Sequence, residues 1–167
     1  MTNTVMSENW SKYGGALQNH DSTVTIEKSK FLNNNSTYGG AIFGYIADHM
    51  SISDTEISGN LASIRGGAIS LGSCEAKLIN CNIHDNKANS IGGAVYMYGY
   101  HALGIAALTA TNTDITGNSA ATDGDGVYCE GHTYDGKDWV NEITLDAYTN
   151  THMDTLYKNM CNLHVSN

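Results

Sequence analysis

Residues 31–45 read FLNNNSTYGGAIFGY. Two features of this stretch return along the chain. An apolar residue stands three positions before an asparagine, and five or six residues after that asparagine a pair of glycines opens an apolar run. The glycine pairs are Gly14 and Gly15, Gly39 and Gly40, Gly66 and Gly67, and Gly92 and Gly93, at intervals of 25, 27 and 26 residues, with a degraded copy, GDGV, at Gly124. The asparagine element recurs as Met6 with Asn9, Phe31 with Asn34, Ile57 with Asn60, Ile83 with Asn86 and Ile115 with Asn118. Upstream, alternating apolar pairs keep the same phase: Val24 and Ile26, Met50 and Ile52, Ala76 and Leu78, Leu108 and Ala110. Three registers repeating in step make a period near 26 residues the dominant property of this sequence.

A period of this length is too short for the two-helix repeats, and the apolar residues alternate in short runs instead of recurring every 3.6 positions. The unit is therefore made of strands. A coil of three strands of roughly five residues, joined by three corners, accounts for the length. Five or six such coils stack as parallel strands and predict an all-β, right-handed parallel β-helix. Within GGAISL, Gly67, Ile69 and Leu71 share one face, as do Gly93, Val95 and Met97 in the next copy, so aliphatic ladders fill the interior. The glycine pair suits a corner where the backbone turns or approaches its neighbour closely, and the asparagine suits the adjoining corner and an amide ladder from coil to coil.

The paired FLNN and GGAI elements resemble the FxxN and GGAI repeats of chlamydial polymorphic outer-membrane proteins. They are also similar to repeats in bacterial autotransporter passengers and archaeal adhesin-like proteins. The resemblance covers residues 6 to about 128, and it implies extracellular, surface-exposed, mostly non-enzymatic proteins that adhere or form stalks. It departs from those families at the ends, since the first ten residues do not read as a secretory signal and no barrel sequence is present.

Composition agrees with a β architecture. The 167 residues include 18 glycines and no proline, and 41% are hydrophobic. Eight basic against 17 acidic residues give a net charge of −9 with a single arginine, Arg65. That balance argues against nucleic acid and anionic membrane as partners, because phosphate contacts are built from Lys and Arg. No apolar run is long enough to span a bilayer. Cys74, Cys81, Cys129 and Cys161 lack CxxC spacing and read either as two disulfides of undetermined pairing or as buried thiols.

Candidate sites lie where the period breaks. Tyr96, Tyr98 and Tyr100 alternate and are expected to share the outward face of one strand, either as a binding face for glycans or protein or as cover for the sheet. An insertion of about six residues follows them, around 98–108. Residues 123–142 are acidic and irregular, and Asp123 and Asp125 are weak Ca²⁺ candidates whose spacing fits no calcium loop. NTD at Asn112 to Asp114 resembles one polygalacturonase motif, but Asp114 occupies an ordinary outward slot shared with Lys30, Glu56 and Asn82. The seven scattered histidines show no metal-ligand spacing. Sequons at Asn9, Asn34 and Asn35 would accept glycans in a secreted chain.

The division expected is a repeat region over residues 1–128 and an irregular segment over 129–167, within one domain. The C-terminal part ends in a capping helix, because Met153, Leu156, Met160 and Leu163 have helical spacing, or in a further degenerate coil, because LYKN repeats the asparagine element. No catalytic residue and no cofactor is read from the chain. The expected role is a non-enzymatic, extracellular structural or adhesive protein that stacks head to tail on itself or on adjacent β-helix domains and contacts glycans or cell-surface proteins. The alternative is a carbohydrate-binding or carbohydrate-cleaving β-helix.

Overall fold

The computed structural model describes residues 1–46, 49–100 and 103–166. Each repeat forms one coil of a right-handed parallel β-helix, and equivalent strands of successive coils pair in parallel. The coil has four strands, not the three expected. Parallel pairing builds a first sheet from Val5–Ser7, Lys30–Leu32, Glu56–Ser58, Asn82–His84 and Asp114–Thr116. A second sheet holds Trp10–Tyr13, Asn35–Tyr38, Leu61–Arg65, Lys87–Ala88 and Ser119–Ala120. The third holds Leu17–His20, Ile42–Tyr45, Ile69–Gly72, Val95–Tyr98, Val127–Glu130 and Leu156–Asn159. The fourth holds Val24–Glu27, Met50–Ser53, Glu75–Ile79, Ala107–Thr111, Asn141–Asp146 and Cys161–Ser166.

The extra corner lies between the first and second sheets, and the residue that makes it is not the asparagine. Glu8, Asn33, Gly59, Asp85 and Gly117, each one position earlier, adopt left-handed backbone with φ between 55° and 69°. That single residue turns the chain, and the asparagine after it points inward. At the next corner Gly39 has φ +65°, which favours glycine, while a Cβ on Gly40 would fall on the carbonyl oxygen of Gly67 in the coil below. The two glycines of a pair thus serve different needs, one for backbone hand and one for coil-to-coil approach.

The apolar registers stack as the period predicts. Met6, Phe31, Ile57, Ile83 and Ile115 form one interior ladder, and Val24, Met50, Ala76 and Leu108 continue through Ile143 to Leu163 in another. Ile42, Ile69, Val95 and Val127 make a third, all essentially buried. Every ladder residue packs on its equivalents above and below, so the core is continuous along the axis.

Two polar ladders run through this interior. Asn9 donates from its backbone N–H and Nδ2 to Asn34 Oδ1, Asn34 does the same to Asn60, Asn60 to Asn86, and Asn86 to Asn118, at 2.8–3.1 Å. Each inner Nδ2 also donates to a carbonyl of the coil above, as Asn60 does to Phe31 at 3.0 Å. The second ladder joins Thr4, Ser29, Thr55, Cys81, Thr113 and Thr149. Ser29 accepts from Thr4 N–H, Thr55 from Ser29 N–H, and Thr113 from Cys81 N–H. Cys81 replaces a hydroxyl here, and burial pushes its thiol pKa up.

Past residue 128 the same sheets continue. Residues 132–139 project as an antiparallel hairpin, His132–Tyr134 with Lys137–Trp139. A five-residue helix, Ala147–Thr151, is capped by Asp146 and places the buried Thr149 hydroxyl against Thr113 N–H, ending the second ladder. The residues after this helix return to the sheets as a further coil, and the capping helix expected from Met153 to Leu163 does not form. Met153, Leu156, Met160 and Leu163 lie outside the helix, and LYKN forms a third-sheet strand instead of an asparagine corner. Asp154 takes the asparagine position, accepting from Asn118 N–H and Nδ2 at 2.8 and 3.1 Å. A carboxylate accepts but does not donate, so the amide ladder stops there. A Cys129–Cys161 disulfide ties this last coil to the one above, and Cys74 and Cys81 are buried thiols.

Replacing Asn60 by alanine removes the acceptor of Asn34 N–H and one of the two acceptors of Asn34 Nδ2, and takes the amide donor from Phe31 C=O and from Asn86 Oδ1, which keeps only the backbone N–H of residue 60. The expected loss is at least about 3 kcal/mol, read as a lower urea midpoint, against under about 1 kcal/mol for Asn9→Ala at the exposed end of the ladder. Equal losses at the two positions would contradict a ladder whose strength lies in its buried rungs.

Candidate functional site

The outer surface of the third sheet and the adjoining edge of the second carry three parallel rows of side chains. Register places Tyr13, Tyr38 and Arg65 in one row, Gln18, Phe43, Ser70, Tyr96, Tyr128 and Tyr157 in the next, and His20, Tyr45, Gly72, Tyr98 and Glu130 in the third. Equivalent positions in successive coils lie about 4.8 Å apart, the spacing at which rings stack. Tyr13 and Tyr38 are 5.5 Å apart between centroids, Tyr13 and Phe43 5.0 Å, and Tyr128 and Tyr157 4.5 Å.

The third coil interrupts the aromatic rows with Ser70 and Gly72. Rings lean into the space they leave: a Cβ on Gly72 would meet the Tyr98 hydroxyl at 2.6 Å and the Tyr45 ring at 2.8 Å. The result is a groove of three joined depressions. One, of about 280 Å³, is lined by Tyr13, Tyr38, Phe43, Arg65, Ser70, Tyr96 and Tyr98. A second, of about 400 Å³, extends it past Gln18, His20 and Tyr45. The third, of about 480 Å³, runs from Arg65 and Tyr98 past Tyr100 and Glu130 to His132 and Tyr134 of the hairpin.

A polar chain crosses the groove. Arg65 Nη1 donates to the Tyr96 hydroxyl at 2.8 Å, and that hydroxyl donates to Glu130 Oε2 at 2.8 Å. The guanidinium also lies 5.0 Å from the centroid of the Tyr96 ring, a cation–π arrangement. Burial, and then the Glu130 carboxylate, push the Tyr96 phenol far above the ordinary tyrosine value. Burial chiefly pushes Tyr98 up to about 12.

The three tyrosines expected on one strand face divide in the structure. Tyr96 and Tyr98 do point outward from Val95–Tyr98 with rings 5.5 Å apart. Tyr96 is nevertheless only 2% exposed, because Arg65, Tyr98, Tyr128 and Glu130 cover it. It is a support for the groove, and Tyr98 is the surface. Tyr100 lies beyond the strand, 46% exposed, its backbone bridged to Gly104 and its ring 6.2 Å from His132. Of the insertion, His101 and Ala102 fall outside the described residues.

The acidic candidates are held in structural roles. Asp125 accepts from Ala120 N–H at 2.8 Å and from the Thr155 hydroxyl at 3.3 Å. Asp123 is exposed at a bridge to Ile91. Among the described residues no three His, Cys, Asp or Glu side chains converge as a metal site. Asp114 sits in the outward row with Lys30, Glu56 and Asn82, and accepts from the Tyr148 hydroxyl at 3.0 Å. The glycines and asparagines of the repeat, Asn9 to Asn118 and Gly14 to Gly124, are scaffold throughout.

The raised phenols predict an alkaline transition. Both folded-state values lie above the unfolded value of about 10, so the stability tied to neutral Tyr96 and Tyr98 is complete below pH 10 and is lost as pH rises through 12. In an absorbance titration of phenolate these two should ionise last, together with unfolding, and Tyr96→Phe should flatten the fall in stability. Ionisation of all ten tyrosines near pH 10 with the fold intact would refute the buried polar chain.

No curated protein and no solved structure matches the chain. A family model does, over residues 1–139, and its description is a right handed beta helix region. Parallel in-register coils and that match agree, and the chain belongs to the right-handed β-helix family.

Proposed function

We propose that this protein is a non-enzymatic, extracellular adhesive β-helix, of the kind found in polymorphic outer-membrane and adhesin-like proteins, and that the tyrosine groove is its ligand surface. The single observation that carries this reading is the groove itself. Rings from three coils and the hairpin, Tyr13, Tyr38 with Phe43 and Tyr45, Tyr96 with Tyr98, and Tyr134, flank fixed polar groups on a rigid sheet, about 19 Å from the first coil to the hairpin. Rings offer flat apolar faces to the C–H faces of sugars, while phenols, Arg65 and Glu130 offer donors and acceptors to sugar hydroxyls. Glycans are therefore the favoured ligand class. The non-catalytic reading is supported by the lining of the groove, where among the described residues Glu130 is the one carboxylate and glycoside hydrolysis uses two. The Cys129–Cys161 disulfide supports an oxidising compartment.

A glycan array with purified protein tests the reading. Binding is expected, and Tyr98→Ala should weaken it about tenfold while circular dichroism stays unchanged. Bound polysaccharide should be recovered at its original length. An array with no binding sinks the glycan reading, and shortened product sinks the non-enzymatic one.

A second contact, head-to-tail stacking, is supported by the first coil. Val5–Ser7, Trp10–Tyr13 and Leu17–His20 are the outermost strands of their sheets, with Val5 and Trp10 62% and 76% exposed, while residues 1–3 cover the outer edge of Val24–Glu27. At the other end Leu156–Asn159 and Cys161–Ser166 likewise terminate their sheets. Such a heterologous contact propagates into filaments. Electron microscopy and light scattering should show concentration-dependent rods that proline substitutions in Leu17–His20 abolish; dispersed monomers at high concentration would refute stacking.

A further inference from the structure

Arg65 is the chain's only arginine in a protein of net charge −9. Among the described residues no carboxylate lies within ion-pair distance of it. Glu130 is held one residue away, with the neutral Tyr96 hydroxyl between them. Among the described residues, one of the five guanidinium N–H donors is used, by that hydroxyl. The depression beside it is otherwise uncharged, lined by Tyr13, Tyr38, Phe43, Ser70, Tyr96 and Tyr98.

Ser70 supplies a second observation. It is 1% exposed on the floor of this depression, and its Oγ has no hydrogen-bond partner. A buried hydroxyl without a partner is unfavourable, as is a half-buried cation without a counter-charge. The fold requires neither. The Arg65 row carries Tyr13, Tyr38 and Ile91 in other coils, and the Ser70 row carries Gln18, Phe43 and Tyr96.

We propose that this pit is an oxyanion site, in which the Arg65 guanidinium and the Ser70 hydroxyl take a carboxylate or sulfate substituent of the bound ligand between the rings of Tyr38 and Tyr98. The site deepens the glycan reading and rests on it for the carrier of the anion. Arginine suits the task because its planar donors match a carboxylate or sulfate edge in a bidentate fork, which an ammonium does not. The acidic surface repels anions at long range, so the selectivity is one of short-range geometry and survives moderate salt.

Because Arg65 is the one arginine, its Nε–Hε resonance is a single assignable signal. Methyl glucoside, methyl glucuronide, glucose 6-sulfate, sodium acetate and sodium sulfate are titrated while that signal and calorimetric affinity are followed. Expected is a saturable shift with the acidic sugars and an affinity about tenfold above that of the neutral glycoside. The preference should vanish in Arg65→Gln and return only in part in Arg65→Lys, both of which keep the fold because the row tolerates uncharged side chains. Equal binding of acidic and neutral sugars, or a preference that survives Arg65→Gln, overturns the anion site and leaves glycan binding standing. Saturation by acetate or sulfate with no sugar bound upholds the anion site and overturns the glycan reading. No shift with any probe overturns the inference.

Discussion

Coil-to-coil hydrogen bonding in fixed register is the constraint on which the rest of this molecule depends. Every described strand outside the 132–139 hairpin pairs in parallel with its equivalent one coil away, and the asparagine ladder repeats the same connection in the interior. A slip of one residue would turn the aliphatic rows outward and break the amide rungs together. Side chains at equivalent positions are therefore held one strand spacing apart along the axis. The aliphatic core and the aromatic groove are two consequences of that spacing, one on each face of the third sheet.

Interior and exterior meet at the third coil. Ile69 and Leu71 face inward and continue the core, while Ser70 and Gly72 between them face outward and remove two rings from the aromatic rows. Small residues in one coil open space that rings of the coils on either side border, and Arg65 from the neighbouring sheet enters it. A solenoid builds a site in this way without a loop: varying one register position in one copy changes the surface locally while the backbone pattern persists.

Much of this was legible in the residues. Val24 with Ile26, and Met50 with Ile52, announced their ladders by alternation, and the outward direction of Tyr96 and Tyr98 followed from the same rule. The fourth strand was not legible, because its left-handed corner is made by glutamate, asparagine, glycine or aspartate in different coils, leaving no constant letter. The hydroxyl ladder of Ser29, Thr55, Cys81 and Thr113 kept the period but hid under three residue types that share only a polar atom able to accept from the backbone. Asp154 escaped notice because the hairpin and helix before it put the last coil out of phase.

What the sequence determined by itself is the repeating unit: its period, its strand character, its inward rows and the stacking of its coils. These follow from residue spacing, since alternation fixes the face and recurrence fixes the neighbour. The tertiary structure alone decided how many corners each coil has, which cysteines join, and that Arg65, Tyr96 and Glu130 form one chain across a groove. Those residues stand 31 and 34 positions apart and belong to three different coils, and only the closure of each coil at a fixed length brings their side chains within hydrogen-bond reach.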